Sequence, residues 1–173
     1  MIKDVEFVKK LKSRKKALIV AGFPGVGKSH MFREMGLELE LADSDSSDFS
    51  WIKDKDGNNT DKRNPNFITD YEKHITGLVE WYDIIFISTH ADVLSSMSDI
   101  IDYILIPDIK SKDEYIKRYK RRGSPDAFIT FLSKNWDDFL GEIIRLYGDK
   151  VYVMPSGEYL IDSMKKIVEN IDD

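Results

Sequence analysis

Five short apolar runs punctuate a largely polar chain, at residues 17–21, 37–41, 84–88, 103–106 and 151–154. Their short length fits strands buried in a parallel sheet. Helical spacing fills the intervals. Residues 30–39 are helix-compatible, and 67–81 place Ile68, Tyr71, Ile75, Leu78 and Val79 on one face. Between residues 126 and 147 the apolar positions Phe128, Phe131, Leu132, Trp136, Phe139, Leu140, Ile143, Ile144 and Tyr147 recur at steps of three, four and one, predicting an amphipathic helix interrupted near Asn135. Residues 158–171 close the chain with a further apolar stripe from Leu160 to Val168. Ser111-Lys112-Asp113-Glu114 has the form of a capping box opening another helix, which Gly123-Ser124-Pro125 breaks. Alternating strands and helices, with no repeat or linker to divide them, predict a single three-layer α/β/α domain over residues 1–173 with a five-stranded parallel sheet. The polar stretch 46–66 shows no secondary-structure pattern, and loops of that length in compact domains are usually functional or disordered.

The connection after the first apolar run changes the picture most. Residues 22–29 read Gly-Phe-Pro-Gly-Val-Gly-Lys-Ser, a complete GxxxxGK[ST] motif between a predicted strand and a predicted helix. Glycines at Gly22, Gly25 and Gly27 let the backbone curl so that N–H groups converge on phosphate oxygens. In such a loop Lys28 reaches the β/γ-phosphates and the Ser29 hydroxyl ligates Mg²⁺. Pro24, Val26 and His30 complete the expected nucleotide-contacting set.

In a parallel sheet, ligands sit at the carboxyl ends of the strands. The second run leads into Asp43-Ser44-Asp45, where alternation points both carboxylates the same way. Asp43 or Asp45 is the candidate to hold water on Mg²⁺ or to accept a proton from an attacking hydroxyl, with Asp43 the candidate metal partner. A Ser/Asp-rich turn is the competing reading. The third run ends in Ser88-Thr89-His90 without a carboxylate, since Asp83 lies at the opposite end; Thr89 and His90 are candidate contacts to substrate or the attacking group, and equally Ser88 or Thr89 caps the next helix. After the fourth run, Arg118, Arg121 and Arg122 share a helical face before the glycine break, as a lid-like segment over about 111–126 that neutralises transferring phosphates would require. A solvated basic face would account for the same arginines. In the 46–66 stretch, Trp51 and Arg63, with Phe67 just beyond, are candidate acceptor contacts.

Composition narrows the class further. The net charge of −5 over 173 residues offers no global attraction to nucleic acid or anionic membrane, although Lys9, Lys10, Lys12, Arg14, Lys15 and Lys16 crowd a segment expected to be a solvated helix. With no cysteine, thiolate catalysis and Cys-ligated zinc are excluded. No apolar run is long enough to span a bilayer and the N-terminus lacks a signal-peptide core, so a cytoplasmic location is expected.

On these residues the chain resembles the small P-loop kinases, the nucleoside- and nucleotide-kinase-like group that includes shikimate, gluconate and adenylate kinases. The resemblance implies a sheet in the order 2-3-1-4-5, ATP and Mg²⁺ as donor and metal, and transfer of a phosphoryl group to a small acceptor, most plausibly a nucleoside or nucleoside monophosphate. It also implies that Lys28, Asp43, Asp45, Arg118, Arg121 and Arg122 carry the catalysis. Asp-Ser-Asp-Ser-Ser and Arg-Asn-Pro further resemble phage-type ATP-binding proteins. The chain departs from the family at His30, where Thr or Ser usually follows the Lys-Ser pair, and at the third strand end, which carries none of the family's acceptor signatures. A GTP-binding switch competes, because Asp54-Lys55-Asp56-Gly57 fits DxxG and Thr89-His90-Ala91-Asp92 echoes [NT]KxD without its lysine. A non-catalytic nucleotide-binding regulator and a kinase of polynucleotide ends compete as well.

Overall fold

The computed structural model describes residues 4–171. Seven strands occur along the described chain: β1 (Leu18–Gly22), β2 (Leu41–Asp43), β3 (Trp51–Lys53), β4 (Asn59–Arg63), β5 (Ile84–Ile87), β6 (Tyr103–Pro107) and β7 (Val151–Met154). The helices are α1 (Asp4–Lys12), α2 (Lys28–Met35), α3 (Phe67–Leu78), α4 (Ala91–Met97), α5 (Lys112–Arg121), α6 (Asp126–Lys134), α7 (Trp136–Tyr147) and α8 (Leu160–Glu169). Five strands form one sheet in the order β2-β5-β1-β6-β7, with every neighbouring pair parallel. The remaining two, β3 and β4, make a separate antiparallel hairpin. The numbering therefore differs from the expected 2-3-1-4-5, and the difference is the hairpin, which contributes two strands where none was predicted.

All five residues of β1 and all four of β5 are buried. Successive side chains of a strand point to opposite faces, so burial without alternation requires cover on both sides. The helices supply it as a three-layer α/β/α arrangement. Each fully buried Val, Leu or Ile contributes about 1.5–3 kcal/mol, which makes Leu18 to Val20 and Ile84 to Ile87 the spine of the core. Carboxylates fix the far edge of the sheet. Asp83 accepts from the Glu40 amide at 2.8 Å and from Lys12 Nζ at 3.2 Å, and Asp102 accepts from the Ile19 amide at 2.8 Å. Asp83 thus ties the strand starts together, away from the carboxyl ends.

Three local expectations are corrected. The strand expected at 37–41 begins only at Leu41, because the chain after α2 makes another turn in which the Leu39 amide donates to Met35 O at 2.9 Å. Leu37 consequently lies 99% exposed while Leu39 reaches the core. The basic N-terminal helix is not simply solvated: Phe7 and Leu11 are buried, and Lys10 Nζ donates to Ile171 O at 2.7 Å and to Val168 O and Glu169 O, capping the end of α8. The 46–66 stretch is ordered into a 3₁₀ turn (Ser46–Phe49) and the hairpin, rooted where Asn64 Nδ2 donates to Phe49 O and to Asp70 Oδ2, both at 3.0 Å. The predicted interruption near Asn135 is present, separating α6 from α7.

Candidate functional site

Because the five sheet strands are parallel, the loops after β1, β2, β5, β6 and β7 gather at one edge. The loop after β1 occupies its centre. Gly25 and Gly27 have φ of +85° and +107°, conformations open chiefly to glycine. The space is closed as well: a Cβ on Gly25 would lie 2.7 Å from Tyr119 Cε1, and one on Gly27 would lie 2.7 Å from Tyr159 Cδ1.

What surrounds this loop determines what it presents. Three successive carbonyls are held from outside. Pro24 O accepts from the Tyr119 hydroxyl at 2.7 Å, Gly25 O from Arg118 Nη1 at 3.0 Å, and Val26 O from the Leu160 amide at 2.8 Å. In a planar trans peptide the N–H that follows a carbonyl points the opposite way. The Gly25 and Gly27 amides are therefore directed away from α5 and α8. Those of Lys28, Ser29 and His30 open the first turn of α2, where no preceding helical carbonyl is available. Among the described residues these five amides donate to no protein group. A concave row of unpartnered donors at a helix start accepts an anion.

Charged side chains stand at the mouth of the loop. Lys28 Nζ lies 3.1 Å from Asp43 Oδ1, with side chains 28% and 45% exposed. The structure thus brings together two of the residues singled out from the sequence. Asp45 is placed differently: its Oδ1 accepts from the Ser47 amide at 2.9 Å and caps the 3₁₀ turn, as the Ser/Asp-turn reading has it. Ser29 is exposed on the first turn of α2, and His30 packs its ring 5.3 Å from that of Tyr159. His90 is exposed at the start of α4 with no side-chain capping bond.

The three arginines do not behave alike. Arg118 is only 8% exposed. Besides Gly25 O, it donates through Nη2 to Glu158 O at 2.7 Å and to Glu114 Oε1 at 3.0 Å, and its guanidinium lies between the rings of Tyr115 (4.5 Å) and Tyr159 (4.2 Å). The expected common lid face is corrected in this respect: Arg118 points at the back of the loop. Arg122 Nε donates to Ser124 Oγ at 2.7 Å with its guanidinium over Tyr119 and Phe128, while Arg121 is exposed. The predicted capping box is also absent as such. Ser111 makes no side-chain cap bond, and Glu114 instead accepts from Arg118, from the Gly157 amide at 2.8 Å and from Ser156 Oγ at 3.2 Å.

On the other flank, Trp51 and Arg63 face each other across the hairpin, the guanidinium 5.0 Å from the indole centroid. Phe67 opens α3 and packs on the core edge. The Tyr71 hydroxyl donates to Ser44 O at 2.6 Å, and Ser46 and Ser88 hydroxyls meet at 3.2 Å, joining the ends of β2 and β5. Sequence reasoning missed Tyr115, Tyr119, Glu114 and Tyr159. The one legible signal was the pair of tyrosines four apart on an otherwise charged helix.

No family model matches this chain, and no curated protein matches it. The chemistry of the site follows from its own geometry.

Three buried tyrosines give that geometry a pH limit. Burial pushes the Tyr115 phenol up to about 12 from an ordinary 10.0, against the lowering effect of Arg118, and burial likewise raises Tyr71 and Tyr119. The Tyr115 hydroxyl is buried with no hydrogen-bond partner among the described residues, so no donor there is hydrogen-bonded to a phenolate. The folded protein holds these protons more tightly than the unfolded chain. Their contribution to stability is complete below pH 10 and falls as pH rises above it, the Tyr115 part being lost through about 12. Urea midpoints measured across this alkaline range should fall steeply, and Tyr119→Phe should flatten part of the decline. A midpoint independent of pH through that range would contradict the account.

Proposed function

We propose that the protein binds ATP through residues 22–29 and transfers its terminal phosphoryl group to a small acceptor, most plausibly a nucleoside or nucleoside monophosphate. One observation carries the reading. The amides of Gly25, Gly27, Lys28, Ser29 and His30 are left without protein partners on one side of a loop whose carbonyls are held on the other, with Lys28 and Asp43 at its mouth. Oriented N–H groups and a lysine suit the β- and γ-phosphates of a triphosphate.

The roles follow from position. Lys28 leaves Asp43 for the phosphate oxygens when ATP enters, and the Asp43 carboxylate becomes available at the end of β2. The acceptor oxygen attacks the γ-phosphorus, the bond from that phosphorus to the β–γ bridging oxygen breaks, and ADP departs. The acceptor proton passes to Asp43, or to Asp45 if the 3₁₀ turn opens. Arg121, exposed on α5 with no side-chain partner among the described residues, is the arginine we assign to charge developing on the phosphoryl group. The residues fit Mg²⁺ in a particular way. Among the described residues no group of three or more His, Cys, Asp or Glu could hold a metal. The Ser29 hydroxyl and, through water, Asp43 would share the ion with phosphate oxygens, as Mg²⁺ in phosphoryl-transfer sites commonly requires. Bound there, it would neutralise charge on the transferring group.

The acceptor side suggests a second reading. An aromatic ring paired with a cation on an exposed hairpin, as Trp51 and Arg63 are, suits a base splayed from a nucleic-acid end. The competing outcomes separate in one assay, ATP consumption with nucleosides, nucleoside monophosphates or a 5′-hydroxyl oligonucleotide. Lys28→Ala should lower turnover by about 10²-fold or more with unchanged thermal stability. Asp43→Asn should lower kcat by about 10²–10⁴-fold with little change in KM for ATP. Turnover retained by Lys28→Ala would overturn the assignment.

A further inference from the structure

Among the described residues Arg118 is the charged side chain that is buried, and nothing in the phosphoryl-transfer reading requires it to be so. A surface arginine on a lid needs a mobile guanidinium. This one is 8% exposed, wedged between Tyr115 and Tyr159, and its donors are committed to Gly25 O, Glu158 O and the Glu114 carboxylate. Each partner belongs to a different segment: the loop after β1, the loop after β7, and α5 itself. Tyr119, one residue along the same helix, adds its hydroxyl to Pro24 O. The Leu160 amide at the start of α8 takes Val26 O.

We propose that Arg118 is a positioning residue for the anion-accepting loop, and that with Tyr119 and the Leu160 amide it forms a clamp whose work is to hold three successive peptide planes so that the Gly25 and Gly27 N–H groups face the ligand while the Val26 N–H between them closes on Phe23 O. The inference rests on the nucleotide-binding reading and deepens it. Arg118 acts through Gly25 and never touches the transferring phosphoryl group. Glu114 is the hub of the arrangement. By accepting from Arg118, from Ser156 Oγ and from the Gly157 amide, it couples the loop after β7 to the clamp, so that displacing residues 155–159 releases Arg118. An aligned row of N–H groups has no reason to persist without the clamp. Gly25 and Gly27 have no Cβ to restrict their backbone, and unheld peptide planes flanking them rotate. Pre-alignment removes that ordering cost from the binding step.

Tyr119→Phe deletes one hydroxyl and keeps the packing against Gly25; Arg118→Lys keeps the charge and loses the fork. Both are measured as full-length protein in three ways: calorimetric titration with ATP and Mg²⁺, amide hydrogen exchange of residues 25–30 without nucleotide, and thermal melting. The clamp predicts that Tyr119→Phe weakens ATP binding by about tenfold and Arg118→Lys by more, that exchange at residues 25–30 accelerates in both, and that exchange in β1 and β5 is unchanged. Unchanged ATP affinity in both variants would assign Arg118 to a lid or to simple core packing and overturn the clamp. Uniformly faster exchange across the sheet would do the same, because it marks global destabilisation. Should the unsubstituted protein bind no ATP, the nucleotide reading fails first. In that case the exchange comparison still tests the clamp, and unaltered exchange at residues 25–30 would refute it.

Discussion

A peptide plane carries its donor and its acceptor on opposite edges, so a protein that grips a carbonyl also aims the next amide. That constraint, applied at Pro24, Gly25 and Val26, organises most of what surrounds the centre of this sheet. It explains why α5 turns Tyr119 and Arg118 inward on a helix that is mostly charged. It explains why α8 starts where it does, with the Leu160 amide spent on Val26 O and the Tyr159 amide satisfied by Asp162 at 2.9 Å. It also explains why the loop tolerates nothing but glycine at two positions. The rings of Tyr119 and Tyr159 that support the loop from behind are the same atoms a Cβ would strike.

The mouth of the loop is built on a weaker interaction. Lys28 and Asp43 are both partly solvated, and an ion pair in that setting contributes little to stability, about 0–1 kcal/mol. A weak pair suits the proposed role, since Lys28 must exchange a carboxylate for phosphate oxygens at small cost. The surroundings of buried Arg118 are the opposite case. Hydrogen bonds to Gly25 O, Glu158 O and the Glu114 carboxylate hold its guanidinium, and removing a partner from a buried charge is expensive, as a fixed support requires. The site combines a rigid back with a labile front.

Much of this architecture was legible in the amino-acid order. Unbroken apolar runs such as Ile84–Ile87 announce strands covered on both faces, and glycines at 25 and 27 before Lys28 announce a curled loop entering a helix. Other parts carry no such mark. The hairpin strand Asn59–Arg63 is polar on both faces and Trp51–Lys53 is only three residues long, so periodicity cannot find them; backbone pairing and the Asn64 anchor make them. Helical spacing puts Arg118, Arg121 and Arg122 on one helix but does not say which of them turns inward. That depends on Tyr115 and Tyr159 offering ring faces from two segments far apart in sequence. Asp43 and Asp45 share a strand-end pattern, and a local amide, that of Ser47, gives Asp45 a structural task that Asp43 does not have.

The most direct test is residue-resolved: amide nitrogen–proton spectra of the labelled protein titrated with ATP and Mg²⁺. The account predicts that the amides of Gly25, Gly27, Lys28, Ser29 and His30 shift strongly and together, with Asp43 responding as Lys28 departs, while the amides of β6 and β7 hold their positions. Saturation with ATP that leaves those five amides unmoved, or that shifts another part of the molecule instead, would contradict it.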